Sequence, residues 1–212
     1  IEQIRENVLM MASMVERNVN MAMKALVERD DSMIGTVEAE ETQINDLEVQ
    51  LNEACLLFMA KQAPVATDLR FVLSVVKIAG DLERIGDQGL KIALRAGKLN
   101  QEPQLKPFVD IPRMAELGVE MLRSSMDAFV NRKPEIIQSI INKDEDVNAL
   151  FRQLNRELTS FMIEDPRTIT RCLHLMAVAR HLEKVADHAR NVARKVYFLY
   201  EAKDISHQTV IK

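Results

Sequence analysis

Tryptophan is absent, tyrosine occurs twice and phenylalanine seven times, so aromatics make up only 4% of this 212-residue chain. Sheet cores lean on aromatic and β-branched residues, and their shortage beside 12 methionines favours helix packed on helix. Six glycines and six prolines are too few for a turn-rich β protein or a low-complexity chain. Cysteine is nearly lacking. Cys55 and Cys172 lie far apart, each in an apolar run, which predicts two buried thiols in a reducing, cytoplasmic setting rather than a disulfide. The longest apolar run, residues 54–60, falls far short of the ~20 residues that span a bilayer, so direct membrane insertion is not expected. No charged, apolar and small-residue leader opens the chain, and with Ile1 first the natural N-terminus is expected to be missing. Basic residues are outnumbered, 28 Lys and Arg against 32 Asp and Glu, and the net charge of −4 disfavours a nucleic-acid partner.

Helical period is abundant. Ile4, Val8, Met11, Val15, Asn18, Ala22 and Ala25 follow alternating steps of four and three, as do Phe71, Val75, Ile78, Leu82, Ile85, Gly89 and Ile92. Proline disfavours helical geometry in the residue before it and fits a first turn. Breaks therefore fall at Asp30-Asp31, Ala63-Pro64, the stretch 97–112, Lys133-Pro134 and Asp165-Pro166. The pattern predicts an all-α fold with helices near 1–29, 32–62, 66–96, 112–132, 135–164 and 167–202.

The chain also repeats itself. Shifted by 103, Met23, Ala25, Val27 and Arg29 meet Met126, Ala128, Val130 and Arg132, and Asn45, Leu47, Leu51 and Asn52 meet Asn148, Leu150, Leu154 and Asn155. Beyond the prolines the shift is 100, and Ala79, Leu82, Glu83 and Asp87 meet Ala179, Leu182, Glu183 and Asp187. Ordered matches over three helices predict two tandem three-helix bundles, 1–98 and 112–204, joined by a linker at 99–111 and followed by a polar tail at 205–212.

Glu83 and Asp87, like Glu183 and Asp187, are four apart and share a helix face, where like charges oppose helix formation. The second helix of each unit carries a matching pair, Glu41 with Asn45 and Asp144 with Asn148. Folded about Pro64, Asn45 lies 19 residues before the turn and Glu83 19 after it; Glu41 and Asp87 are both 23 away. About Pro166, Asn148 and Glu183 are 18 and 17 residues away, and Asp144 and Asp187 are 22 and 21. Each hairpin thus brings four oxygen-bearing side chains to one level. Such clusters suit a hard cation, which makes all eight residues candidate metal ligands, or else a ring of Lys and Arg. Arg190 and Arg194 lie near the second cluster and are expected to neutralise it, so the metal reading is firmer for the first. Arg84 and Lys184 follow their glutamates directly and are expected to point elsewhere. His174, His181 and His188 recur every seven residues on another stripe, as surface or helix-contact residues. The mid-helix glycines Gly80, Gly86 and Gly89 imply close approach of a neighbouring helix. No phosphate-cradling glycine loop, zincin motif or nucleophile elbow is present, so no catalytic residue is nominated.

Two three-helix units, each with an acidic pair in its third helix at Glu83-Arg84-Ile85-Gly86-Asp87 and Glu183-Lys184-Val185-Ala186-Asp187, resemble the PhoU family. The turn Pro64-Val65-Ala66-Thr67-Asp68-Leu69-Arg70 is similar to a family segment as well. The resemblance implies a negative regulator of phosphate uptake and phosphate-starvation signalling. It would act as a non-enzymatic cytoplasmic adaptor between the ATPase subunit of a phosphate ABC transporter and a sensor histidine kinase, and as a homodimer. It further implies a metal ion or multinuclear cluster (iron, or Mg, Mn or Zn) at the paired motifs in some members and none in others. Here Asn45 and Asn148 stand where an Asp is common, and Phe151 stands where the first unit has Glu48. The alternative is a metal-dependent hydrolase on a carboxylate-lined bundle, which requires an open cleft and a base beside the metal.

Overall fold

A computed structural model describes residues 1–205; His207 and the expected polar tail beyond Ile205 lie outside them. The helices are α1 (Glu2–Val27), α2 (Ser32–Gln62), α3 (Ala66–Leu99), α4 (Asp110–Asn131), α5 (Ile137–Glu164) and α6 (Ile169–Glu201). Short 3-10 turns, Pro134–Ile136 and Pro166–Thr168, precede α5 and α6. The described residues contain no strand. Helices α1, α2 and α3 form one bundle and α4, α5 and α6 the other, as the repeat predicts.

Each amphipathic stripe faces its own bundle. Val8, Met11, Val15 and Leu26 of α1 are buried with Ile44, Leu51, Ile78 and Leu82, and Phe129 and Met121 of α4 with Leu154, Leu182 and Val196. Both cysteines are buried and free. The connection between the units is pinned down: Leu105 and Phe108 pack on the core, Lys106 pairs with Glu157, and Arg171 donates to the Pro103 carbonyl at 3.0 Å. Ile205, assigned to the polar tail, is buried instead.

The bundles are not independent beads. Helices α3 and α6 form the most extensive helix–helix contact in the molecule. Arg5 of α1 stacks its guanidinium 5.2 Å from the Phe71 ring and 4.9 Å from the Phe129 ring, one aromatic from each bundle. Tyr200 donates to the Phe129 carbonyl at 2.5 Å. The histidine stripe lies along the α3–α6 seam, as helix-contact residues. His188 Nδ1 donates to Asp81 Oδ1 at 2.9 Å, His181 Nδ1 donates to Gln88 Oε1 at 2.9 Å, and Arg95 Nη1 donates to His174 Nδ1 at 3.1 Å. Residues 81, 88 and 95 are themselves seven apart, so two antiparallel heptad stripes are matched rung by rung.

Burial holds His181 neutral, lowering its pKa to about 4, with the charges of Lys91 and Arg95 acting the same way and Asp87 opposing. The unfolded chain binds that proton near pH 6.5. The stability from a neutral His181 is therefore present above pH 6.5 and is lost as pH falls toward 4. Between pH 7 and pH 5 the wild type should lose on the order of 1–2 kcal/mol from this group. His181→Gln should flatten that segment of a stability–pH curve measured by urea unfolding; an unchanged slope counts against the assignment.

Candidate functional site

The α2–α3 hairpin keeps the register that its sequence predicts. Gly86 lies opposite Ile44, where an added Cβ would come within 3.2 Å of it, and Gly80 lies opposite Glu48. Glu41 is therefore level with Asp87 and Asn45 with Glu83, while Glu48 lies level with Gly80 one turn nearer the hairpin bend. These polar residues are all half-buried and follow one another along the α2–α3 interface. Asn45 donates to Glu41 Oε1 at 2.7 Å, and Asn52 to Glu48 Oε1 at 3.4 Å. The Oδ1 atoms of Asn45 and Asn52 are buried and accept no hydrogen bond. Asp87 accepts from Lys91 at 2.6 Å and from Gln88 at 3.3 Å, and Glu83 pairs with Arg84 at 3.4 Å. Burial pushes the Glu83 carboxyl up; Arg84 opposes this, and the charges of Glu48, Asp87 and Glu41 add to it. The carboxylates of α2 thus lie within electrostatic reach of those of α3, yet no hydrogen bond crosses between them.

The second hairpin has the same register and a different chemistry. Asp144 is buried, and Arg190 bridges it to Asp187, reaching Asp187 Oδ1 at 2.9 Å. Lys184 holds Asp187 Oδ2 at 2.7 Å and Glu183 Oε2 at 3.2 Å. Asn148 donates to Asp144 Oδ2 at 3.4 Å. So Asp144, Asn148, Glu183 and Asp187 do meet, as an ion-pair network. Arg190 supplies its centre, as expected from the sequence. Lys184, expected to point away, folds its long side chain back over the cluster. At the position of Arg190 the first unit has Leu90, and at that of Arg194 it has Leu94.

This substitution separates the two clusters as metal sites. Among the described residues, no three His, Cys, Asp or Glu side chains form a ready-made cage. The first cluster has the donor chemistry of a hard-cation site: four carboxylates, and two buried amide oxygens without partners. The second cluster does not fit a cation, because a guanidinium and an ammonium already occupy the space between its carboxylates. Glu48 joins the cluster although the four-residue spacing of the acidic pairs does not reach it. Its spacing of seven from Glu41 would have found it, since the two are nearly in line on α2.

The PhoU domain model matches residues 8–96 and 111–196, one copy on each bundle. The chain belongs to the PhoU family. It is 35% identical over 208 residues to a phosphate-specific transport system accessory protein PhoU homolog from Pseudomonas putida, covering 98% of this chain and 81% of that one. With the homolog of the same description from Aquifex aeolicus it shares 39% identity over 210 residues, 99% of this chain and 95% of that one. The crystal structure of PhoU from Pseudomonas aeruginosa superposes with a TM-score of 0.92 at 34% identity, covering 95% and 97% of the two chains. The phosphate transport system regulatory protein PhoU from Streptococcus pneumoniae superposes at 0.88 and 25% identity, covering 96% of each. The all-helical PhoU architecture is therefore shared along nearly the whole chain. No helix among the described residues is long and apolar enough to cross a membrane.

Proposed function

We propose that this PhoU protein is a non-enzymatic, cytoplasmic regulator that restrains phosphate uptake and the phosphate-starvation response. It would link the ATPase subunit of a phosphate ABC transporter to a sensor histidine kinase and act as a homodimer. The observation that carries this reading is the near full-length likeness to proteins named as accessory or regulatory to phosphate transport. The fold suits an adaptor: long helices locked into one body, with Leu56, Leu57, Val65, Leu69 and Leu73 exposed around the α2–α3 turn as apolar contacts. Tagged protein from cells grown in high phosphate should co-purify the ATPase subunit and the kinase, and its deletion should switch on a starvation reporter despite plentiful phosphate. A reporter that stays silent after deletion, with neither partner captured, would overturn this reading.

The first cluster is the metal centre in this reading. Glu41, Asn45, Glu83 and Asp87, with Glu48 beside them, would hold a hard divalent cation or an iron cluster, which when bound would pin α2 to α3 and offset the mutual repulsion of their carboxylates. Calorimetric titration with Mn2+ should show binding that Glu83→Ala and Asp87→Ala each weaken at least ~tenfold. Leu90→Arg should remove it by placing a guanidinium where the second unit has one. Asp187→Ala should leave it unchanged. Equal losses from the two units would contradict the division between them.

A further inference from the structure

Gly80 is a glycine of α3 that packing does not explain. Gly86 and Gly89 sit against Ile44 and Asn18, but a Cβ at Gly80 would meet only Glu48 Oε1, at an ordinary 3.9 Å. The expected close helix approach is therefore absent at this position. A glycine inside a helix is a standing loss in backbone entropy. Gly80 lines a groove of about 460 Å³ between α2, α3 and α6, into which it adds no side chain.

The walls of that groove carry four cations, Lys77 and Arg84 from α3 and Arg194 and Lys195 from α6. Three acids line it as well: Asp81 receives the His188 hydrogen bond at 2.9 Å, Glu83 pairs with Arg84, and Glu48, which accepts from Asn52 at 3.4 Å, belongs with Glu83 to the first acidic cluster at the groove's edge, so the lysines carry the surplus positive charge. Lys77 and Lys195 have no ion pair or hydrogen bond among the described residues. The groove is lined by residues of both bundles. Under the internal repeat, Lys77 corresponds to Ala177, Arg194 to Leu94 and Gly80 to Arg180, so the related position exchanges two cations for one, whose long side chain takes the place left open at Gly80.

We infer that this groove binds a phosphoryl group, of inorganic phosphate or of a small phosphorylated metabolite. A doubly charged oxyanion needs more than one cation, and lysines contributed by two helices converge on it as point charges. Asn191 adds a neutral amide on the α6 wall. The ligand bridges α3 and α6 at their seam, so its occupancy reports directly on the contact that joins the two units. This inference is separate from the adaptor reading; partner capture can survive its failure.

Calorimetry and phosphorus NMR on the full chain, with inorganic phosphate in one arm and ADP in another, test it. The expected result is saturable binding of at least one probe, one per chain, with the tighter probe identifying the source. Lys77→Gln with Lys195→Gln should weaken that binding about tenfold or more while helicity and the thermal midpoint hold. Gly80→Leu should block it, whereas Gly80→Ala should keep it. Failure of both probes to bind at millimolar concentration overturns the inference, as does binding that the lysine pair does not affect. If Gly80→Leu fails to fold, the lysine variant decides alone.

Discussion

Arg190→Ala should destabilise the protein by about 3 kcal/mol at pH 7, because breaking a buried ion pair strands the charge left behind. The stranded charge is Asp144, whose side chain is 3% exposed. Burial raises the pKa of Asp144 even with Arg190 present; Arg190 opposes the shift through its charge and hydrogen bond, and Asp187 reinforces it. A carboxyl with a raised folded pKa contributes stability below its unfolded pKa, near 4, and loses it as pH rises through the folded value. Without Arg190 that loss deepens, so the defect should be largest at neutral pH and shrink in mild acid. Asp144→Asn in the Arg190→Ala background should regain most of the stability, since an amide needs no counter-charge. Urea unfolding of the wild type, both single variants and the double variant at pH 7 and pH 4.5 checks each sign. A double variant as unstable as Arg190→Ala would show that packing of the arginine stem, not charge, holds the helices.

The same network shows how far the sequence reached. Pattern and proline placement located all six helices, because a stripe at helical spacing and a break before each proline are local properties. The boundaries slipped where turn chemistry intervenes. A helix expected from residue 167 begins at Ile169, because Asp165 accepts a hydrogen bond from the Arg167 amide at 3.0 Å and Pro166 opens a 3-10 turn. The level arrangement of the acidic pairs was legible too, since a hairpin about a known turn leaves little freedom in register. Side-chain reach is less legible: the direction of the Cα–Cβ bond predicts that Lys184 points away, while its four-carbon stem returns the ammonium to Asp187. The α3–α6 seam was the least legible feature, because periodicity shows that a face exists and not which helix covers it. A signal was nevertheless present. Histidines at 174, 181 and 188 and polar partners at 95, 88 and 81 carry the same heptad spacing in opposite order.

Gly89→Ala, a change that improves intrinsic helix propensity by about 1 kcal/mol, should nonetheless destabilise the protein by about 2 kcal/mol net. The Cβ would lie 2.0 Å from Asn18 Oδ1. Asn18 is fully buried, and its amide donates to the Val37 carbonyl at 3.0 Å, tying α1 to the start of α2. To escape the Cβ, Asn18 must rotate and surrender that bond, leaving its buried amide N–H unpaired at about 1–3 kcal/mol, while the Val37 carbonyl keeps its place in the helix ladder. The second unit offers a control, because the repeat places Met121 opposite Asn18 and Ala189 opposite Gly89. The aligned positions thus combine an amide with a glycine in the first unit and a thioether with an alanine in the second. Asn18→Met combined with Gly89→Ala should therefore be more stable than the sum of the single variants implies, with a coupling of at least ~1 kcal/mol in a double-mutant cycle. Additive effects would mean that the two positions are filled independently. Strong coupling would show that the duplicated units diverged by exchanging contacting pairs, as they did when Leu90 and Arg190 came to stand at equivalent positions beside the two acidic clusters.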